Sequence, residues 1–420
     1  MSASPRPLRV LYVDASIGFG GACRSLAATL RALPRVEPLL VTLQPAALVR
    51  EWFGGVPARR FRRRLNYLSA GRVRAWIDRR VPTAPLRHAA VKLLACADLA
   101  ATLWNALAIA RAARRHRAEL VHLNNGLGPL EALLAARLAG IPVVAHLRDF
   151  HPPGRYLGMG LARGISHVLA VSGAVAESLD GGPVPRARIS VVHDPVDVDR
   201  LERAAGMRGA VRAGLGIAPD AVAIGIVGRV IPWKGQLEFA RAAIGAMAEE
   251  PAIHAVVIGD ESDGGRAYVD AVRAVVDASP FAGRFTFAGY RADVEECHAA
   301  LDVVVHASIT PEPFGMVVPE AMAAGRAVIA ADAGGPREVV AHDIDGLLVP
   351  PGDVPALAAA MVRLARDPEL RERMGAAGRR KARERFRPEA SATAVADVYA
   401  AVLAERPAAA PVAAKEVSHA

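Results

Sequence analysis

Residues 222–239 read VAIGIVGRVIPWKGQLEF. An apolar run ends at a glycine, Arg229 and Lys234 follow in a short loop, and a helical pattern begins after Gly235. A run of this length bounded by glycine predicts a strand covered on both faces, Val222–Val227, that enters a helix through a cationic turn. The same grammar recurs along the chain. Strands are predicted at Leu8–Asp14, Leu39–Leu43, Leu120–Leu123, Val143–His146, Val168–Val171 and Ile189–His193. A second series comprises Val222–Val227, Ala255–Ile258, Arg284–Ala288, Val303–His306 and Val328–Ala330, with Gly346–Val349 as a short edge strand. Helical patterns separate them, which predicts an α/β fold of two doubly wound, Rossmann-like parallel sheets facing across a cleft. The expected boundaries are residues 1–198 for the first domain and 199–387 for the second. A helix over 388–406 is expected to return to the first domain, and the Ala/Pro tail 407–420 to be disordered.

The 420 residues are 52% hydrophobic and 22% charged, which excludes a disordered chain. The net charge of +10 conceals a split: residues 1–200 carry 28 Arg/Lys against 13 Asp/Glu, and 201–420 carry 24 against 29. Arg50–Lys92 alone holds 12 basic residues against Glu51 and Asp78. This asymmetry predicts different partners for the two domains, one of them anionic. Cys23, Cys96 and Cys297 form no Cys-x-x-Cys pair, so neither a disulfide framework nor a zinc site is expected, and a cytoplasmic setting is the simplest. The start, MSASPRPLRVLYVDA, passes directly into a strand pattern without a signal-like apolar region. The uncharged apolar run Leu99–Ala110 falls short of the ~18 residues of a spanning helix. Around it, an Arg-rich, insertion-like region extends from about residue 50 to 117.

Four segments carry candidate chemistry. Gly18-Phe-Gly20-Gly21 follows the first strand and opens a helix, where a ligand can approach the backbone. The spacing is not G-x-G-x-x-G, and the next strand ends at Gln44 without a ribose-binding acid, which disfavours a nicotinamide cofactor. Arg229 and Lys234 are placed to neutralise a diphosphate, one as a fork and one as a point charge. Thr310-Pro-Glu312-Pro-Phe314-Gly315-Met316 follows the strand VVVHAS, so the last three residues can present backbone N–H groups at a helix start. Glu320 lies about two turns further on. Ala333-Gly334-Gly335-Pro-Arg-Glu338 follows the next strand; its glycines permit close backbone approach, and Glu338 enters the first turn of the following helix, where it would complement that helix's dipole.

Three of these segments together resemble family 4 of the retaining GT-B glycosyltransferases. The matching motifs are Gly228-Arg229 with Lys234-Gly235, Glu312 to Glu320 around Phe314-Gly315, and Gly334-Gly335-Pro-Arg-Glu338, in the family's order over residues 220–385. The first half resembles the family more loosely, through Gly20-Gly21, AHLRD at 145–149 and VVHDPVD at 191–197. The resemblance implies transfer of a sugar from a nucleotide-diphosphate donor, with retention, no bound metal and no cofactor. Arg229 and Lys234 would then stabilise the leaving diphosphate, Glu312 contact the donor sugar and Glu320 the ribose. The amides of Phe314, Gly315 and Met316 would hold phosphate and sugar oxygens. Gly20 and Gly21 would approach the donor, and Tyr290 and Arg291 would lie beside the base. His146 would stand near the anomeric centre, with Arg148 and Asp149 as alternatives.

Asp194-Pro195 stands where the family has Asn-Gly, and His306-Ala-Ser308 where many members have Pro-Ser. Asp197-Val-Asp199 and Asp343-Ile-Asp345 are rejected as metal–nucleotide sites, because neither follows an apolar strand into a glycine loop. The basic half is assigned to the acceptor: a glycan or glycolipid, with Arg50–Lys92 available to an anionic membrane surface on the inner face of the cell membrane. A nucleic-acid partner is excluded, since no recognised module accompanies the basic stretch. A sugar-nucleotide epimerase and a non-catalytic binder of sugar nucleotides or anionic surfaces are the competing classes.

Overall fold

A computed structural model describes residues 6–15, 20–60, 71–127, 129–150, 159–260 and 266–405. Gly18, Phe19, Arg62, Arg63, Arg64 and the tail from Pro407 lie outside them.

The N-terminal sheet comprises β1 (Leu8–Asp14), β2 (Val36–Thr42), β3 (Ala58–Arg60), β4 (Leu120–Asn124), β5 (Val143–Leu147), β6 (His167–Ala170) and β7 (Ile189–Val191), ordered β3-β2-β1-β4-β5-β6-β7. The C-terminal sheet comprises β8 (Val222–Val227), β9 (Ile253–Ile258), β10 (Phe285–Gly289), β11 (Val303–His306), β12 (Ala327–Ala331) and β13 (Leu347–Val349), ordered β10-β9-β8-β11-β12-β13. Every pairing is parallel. The strand order reverses between β1 and β4 and between β8 and β11, which places a crevice at the carboxyl end of each sheet. Both central strands are covered on two faces, as a near-continuous apolar run requires.

Two elements depart from the sequence reading. The edge strand β3 lies inside the basic stretch, its Ala-Arg-Arg residues exposed, so no apolar pattern announces it. The insertion-like region resolves mainly into one helix, Ala84–His116. Leu99–Ala110 alone is too short to span a bilayer, but this 33-residue helix contains an 18-residue window of mean hydropathy 1.7, of which 33% is buried. Its C-terminal part belongs to the N-terminal core through Ile109, Ala110 and Ala113, so it is an element of the domain.

The domains are joined by two crossing segments. The outgoing one passes Val196, whose N–H donates to the Phe386 carbonyl of the returning one at 2.8 Å. The helix Pro388–Ala404 then packs on the N-terminal sheet, with Val395 and Tyr399 in one cluster with Val10, Tyr12 and Leu40. Tyr399 Oη lies 3.1 Å from Tyr12 Oη and 2.8 Å from His122 Nδ1, a buried polar tie between the chain's two ends.

His122 and His146 sit edge to face inside this domain, their ring centroids 5.6 Å apart. Burial, together with the nearby Arg148 charge, pushes the His122 pKa down to about 3 and holds that of His146 well below its ordinary value. The unfolded chain therefore binds more protons than the native one below about pH 6.5, and stability falls as the pH drops through that range. Each histidine is expected to cost about 2 kcal/mol at pH 5. Urea midpoints at pH 7.5 and 5 check this. The gap should narrow in His122→Gln, and an unchanged gap would refute the assignment.

Candidate active site

The loops after β8, β11 and β12 meet at the crevice of the C-terminal sheet. After β8, a single turn, Pro232–Lys234, ends at Gly235, which then starts the helix Gln236–Glu249. Gly235 has φ +75°, and a Cβ there would lie 2.0 Å from the Ala307 carbonyl oxygen, so only glycine lets this turn rest on the β11 loop. The Ile309 N–H donates to the Trp233 carbonyl at 3.0 Å and ties the two loops together. Gly334 makes the third join. Its φ is +60°, a Cβ would stand 2.3 Å from the Glu312 oxygen, and the Gly335 N–H donates to that oxygen at 2.8 Å.

This interlock aims the Glu312 carboxylate. Lys234 Nζ lies 2.5 Å from its Oε1, while His306 Nε2 at 2.6 Å and Ser308 Oγ at 3.0 Å reach its Oε2. Burial pushes the Glu312 carboxyl up, but the hydrogen bond and charge of His306, joined by the Lys234 ammonium, outweigh it. The group is held well below the usual carboxylate range. It is therefore an anion at any physiological pH. Arg229 is exposed at the mouth and pairs with no carboxylate among the described residues, while its carbonyl accepts from Gln236 Nε2 at 2.8 Å.

Phe314 is buried, its ring stacked on His193 at 5.5 Å and edge-on to Phe386, so the aromatic side chain anchors the loop on the interdomain segments. The N–H groups of Phe314, Gly315 and Met316 donate to no described residue and remain available. Glu320, on the helix Val317–Ala323, is partly exposed, with Oε2 3.5 Å from buried His298 Nε2. Tyr290 is 71% exposed, and Arg291 forks onto Asp293 at 2.8 and 2.5 Å, engaged within its own loop.

The N-terminal side presents Gly20 and Gly21 at the start of the helix Gly21–Ala32, where a Cβ at either would meet nothing within 4 Å. His146 stands one residue from the carboxyl end of β5; it is 1% exposed, and its Nδ1 lies 3.1 Å from Arg148 Nη2. Asp149 accepts the N–H of Phe150 at 2.8 Å.

Comparison with known proteins follows these two halves. Residues 19–200 match the family model "Glycosyltransferase Family 4", and residues 208–381 match "Glycosyl transferases group 1". The chain belongs to the group 1 glycosyltransferases. It is 31% identical to the D-inositol 3-phosphate glycosyltransferase of Streptomyces scabiei over 68% of each chain. It is also 31% identical to that of Kineococcus radiotolerans, over 71% of this chain and 74% of the relative. Matches to the corresponding proteins of Saccharomonospora viridis and Streptomyces bingchenggensis span about half of those relatives' length, 51% and 47%. Among solved structures, Anabaena HepE in complex with UDP superposes with a TM-score of 0.75 at 25% identity, covering 94% of this chain and 100% of that one. A Rickettsia africae glycosyltransferase superposes at 0.78 with 17% identity, over 95% of this chain and 100% of its own, and supports the GT-B fold.

In this glycosyltransferase the third motif acts across the domain boundary. The Glu338 carboxylate accepts from the N–H groups of Gly173 and Ala174, both at 2.7 Å, and so completes the N-terminus of an N-domain helix already capped by Ser172. The sequence reading placed Glu338 in the first turn of its own helix; it lies instead near the end of the helix Gly334–Val339 and caps the helix Gly173–Glu177 of the other domain. Both rejected Asp-x-Asp triplets are structural: Asp197 caps the helix Val198–Arg203, Asp199 pairs with Arg387, and Asp345 pairs with Lys381.

Proposed function

We propose that this glycosyltransferase transfers a hexosyl group, with retention and without a divalent metal, from a nucleotide-diphosphate sugar to a lipid-linked or glycan hydroxyl in cell-surface polysaccharide synthesis. The carrying observation is the Lys234–Glu312–His306–Ser308 cluster, which sits beside three available backbone N–H groups at the crevice of the C-terminal sheet. As the anomeric carbon–oxygen bond breaks, negative charge grows on the departing diphosphate. Lys234 and Arg229 oppose that charge, and the loop amides bind oxygens in the same field. The acceptor proton leaves with the diphosphate oxygen as the new glycosidic bond forms. Glu312, held anionic by His306 and Lys234, orients the sugar through its hydroxyls and electrostatically favours positive charge at the anomeric centre. Glu320 is assigned to the ribose, and Tyr290 and Arg291 to the base.

Support for the donor comes from two HepE structures at 25% identity, one holding UDP and the other UDP and glucose. For the acceptor, a cavity of about 250 Å³ opens at the carboxyl ends of β2 and β3, lined by Thr42, Gln44, Arg50 and Arg60 among others. Its two guanidinium groups suit a hydroxylated acceptor that carries phosphate. We place the reaction in the cytoplasm, at the membrane's inner face.

A donor screen tests this reading by measuring released nucleoside diphosphate, with and without EDTA. Release that requires an acceptor and survives EDTA is expected. Release abolished by EDTA would overturn the metal-independent reading, and an epimerised donor as the sole product would overturn transfer.

A further inference from the structure

The helix Ala84–His116 is patterned inside out between residues 93 and 108. Asp98, Thr102 and Asn105, its polar residues there, are all buried against the protein. Every exposed residue of that stretch is Leu, Ala, Cys or Trp. Leu93 is 71% exposed and Trp104 67%, with Leu99, Leu103 and Leu107 between or beside them. A helix face this apolar belongs in a core or in lipid, and among the described residues protein covers only its opposite side. The outer face runs for about 24 Å at helical rise, a continuous apolar strip rather than scattered exposed leucines.

The charges around the strip identify what covers it. Arg79, Arg80 and Lys92 are exposed toward its start, and Arg111, Arg114 and Arg115 toward its end. A two-fold pairing of copies through this face, parallel or antiparallel, would set cation against cation. An anionic bilayer complements both ends while its acyl region receives the leucines, and Trp104 suits the interface between them. Because the C-terminal part of the helix is held in the N-terminal core through Ile109, Ala110, Ala112 and Ala113, the docked helix would lie along the surface rather than cross it.

We infer that the face Leu93–Ala108, with its cationic flanks, is a docking surface that seats the N-terminal domain flat on an anionic lipid bilayer. This deepens the membrane-side acceptor reading above and rests on it only for its purpose. Binding itself is measured without donor or acceptor, so the two stand or fall separately.

The test is flotation of the purified full chain with phosphatidylcholine vesicles, with or without about 30 mol% phosphatidylglycerol. Binding to the anionic vesicles at low salt, weakened in 0.5 M NaCl, is expected. Leu93→Glu/Leu103→Glu should reduce the bound fraction roughly tenfold or more. Both positions are exposed, and circular dichroism checks that the variant folds. Arg79→Glu/Arg80→Glu should also weaken binding while leaving the apolar strip intact. A parent chain that stays unbound, or a double-Glu variant that binds like the parent, would overturn the inference. So would light scattering that shows a dimer dispersed by Leu103→Glu without vesicle binding, or resistance to an alkaline wash, which would mean a spanning helix.

Discussion

Glu312→Gln is expected to lower turnover by roughly a hundred- to a thousandfold, the range found when one preorganised electrostatic group is removed from a transition state. The substitution keeps the shape of the side chain and removes its charge. Lys234 can keep the single amide oxygen, but the amide nitrogen then faces Ser308 and His306, the neutral group cannot oppose positive charge on the sugar, and His306 loses its anionic partner. The donor KM should change much less than kcat, because the proposed mechanism assigns diphosphate binding to Arg229, Lys234 and the loop amides. The low pKa adds a second expectation. Because the native value lies below that of the unfolded carboxyl, the stability contribution of Glu312 is present above about pH 4.5 and is lost only as the pH falls toward the native value. An acid limb of kcat near neutrality must therefore come from another group. A Glu312→Gln variant within about threefold of parent turnover would remove Glu312 from the mechanism.

Most of this site was legible because its residues are fixed by local grammar. An apolar strand, a glycine turn and a helix start can be read within fifteen residues, and Gly235 and Gly334 mark the places where one loop rests on another. The same reading found β1, β8 and β11 with their observed limits. What escaped depends on which side chains meet, whether near or far in sequence. The segment His306-Ala307-Ser308 stood out only as a departure from Pro-Ser, yet His306 and Ser308 hold Glu312. Glu338 reaches Gly173 across 165 residues, and Asp194 reaches Arg148 across 46. No period or motif spacing records such contacts. The strand β3 escaped because three exposed residues on a sheet edge carry no burial pattern. In the helix Ala84–His116, the apolar signal was visible, but which face the protein covers is a property of packing.

Arg148→Met is expected to destabilise the N-terminal domain by about 3–5 kcal/mol, the cost of removing one partner of a buried ion pair. The Arg148 guanidinium donates to Asp194 Oδ1 at 2.7 Å, with both side chains 5% exposed. It also donates to Ser25 Oγ at 3.1 Å and to Asn124 Oδ1. Asn124 in turn donates to Asp14 Oδ1 at 3.0 Å, and Thr42 to Asp14 Oδ2 at 3.2 Å. Methionine fills much of the same space but leaves Asp194 as a buried anion with only the Ser25 hydroxyl beside it. The Asp-Pro that replaces the family's Asn-Gly thereby acquires a reason, since an aspartate at 194 supplies the counter-charge for Arg148. The network lies along the carboxyl edge of the sheet, where register sets Asp14 opposite Thr42 and Asn124, and Asn124 opposite His146. Asn124 also touches the Ala22 carbonyl, so the same bonds steady the Gly20-Gly21 turn, which the family resemblance assigns to the donor. Loss of Arg148 should therefore loosen donor binding as well as the fold. Urea unfolding monitored with N-domain probes gives the stability term. The double variant Arg148→Met/Asp194→Asn should recover part of it, because no unpaired anion remains. A single variant that loses less than about 1 kcal/mol would show that water reaches Asp194 and that the pair does not hold this edge together.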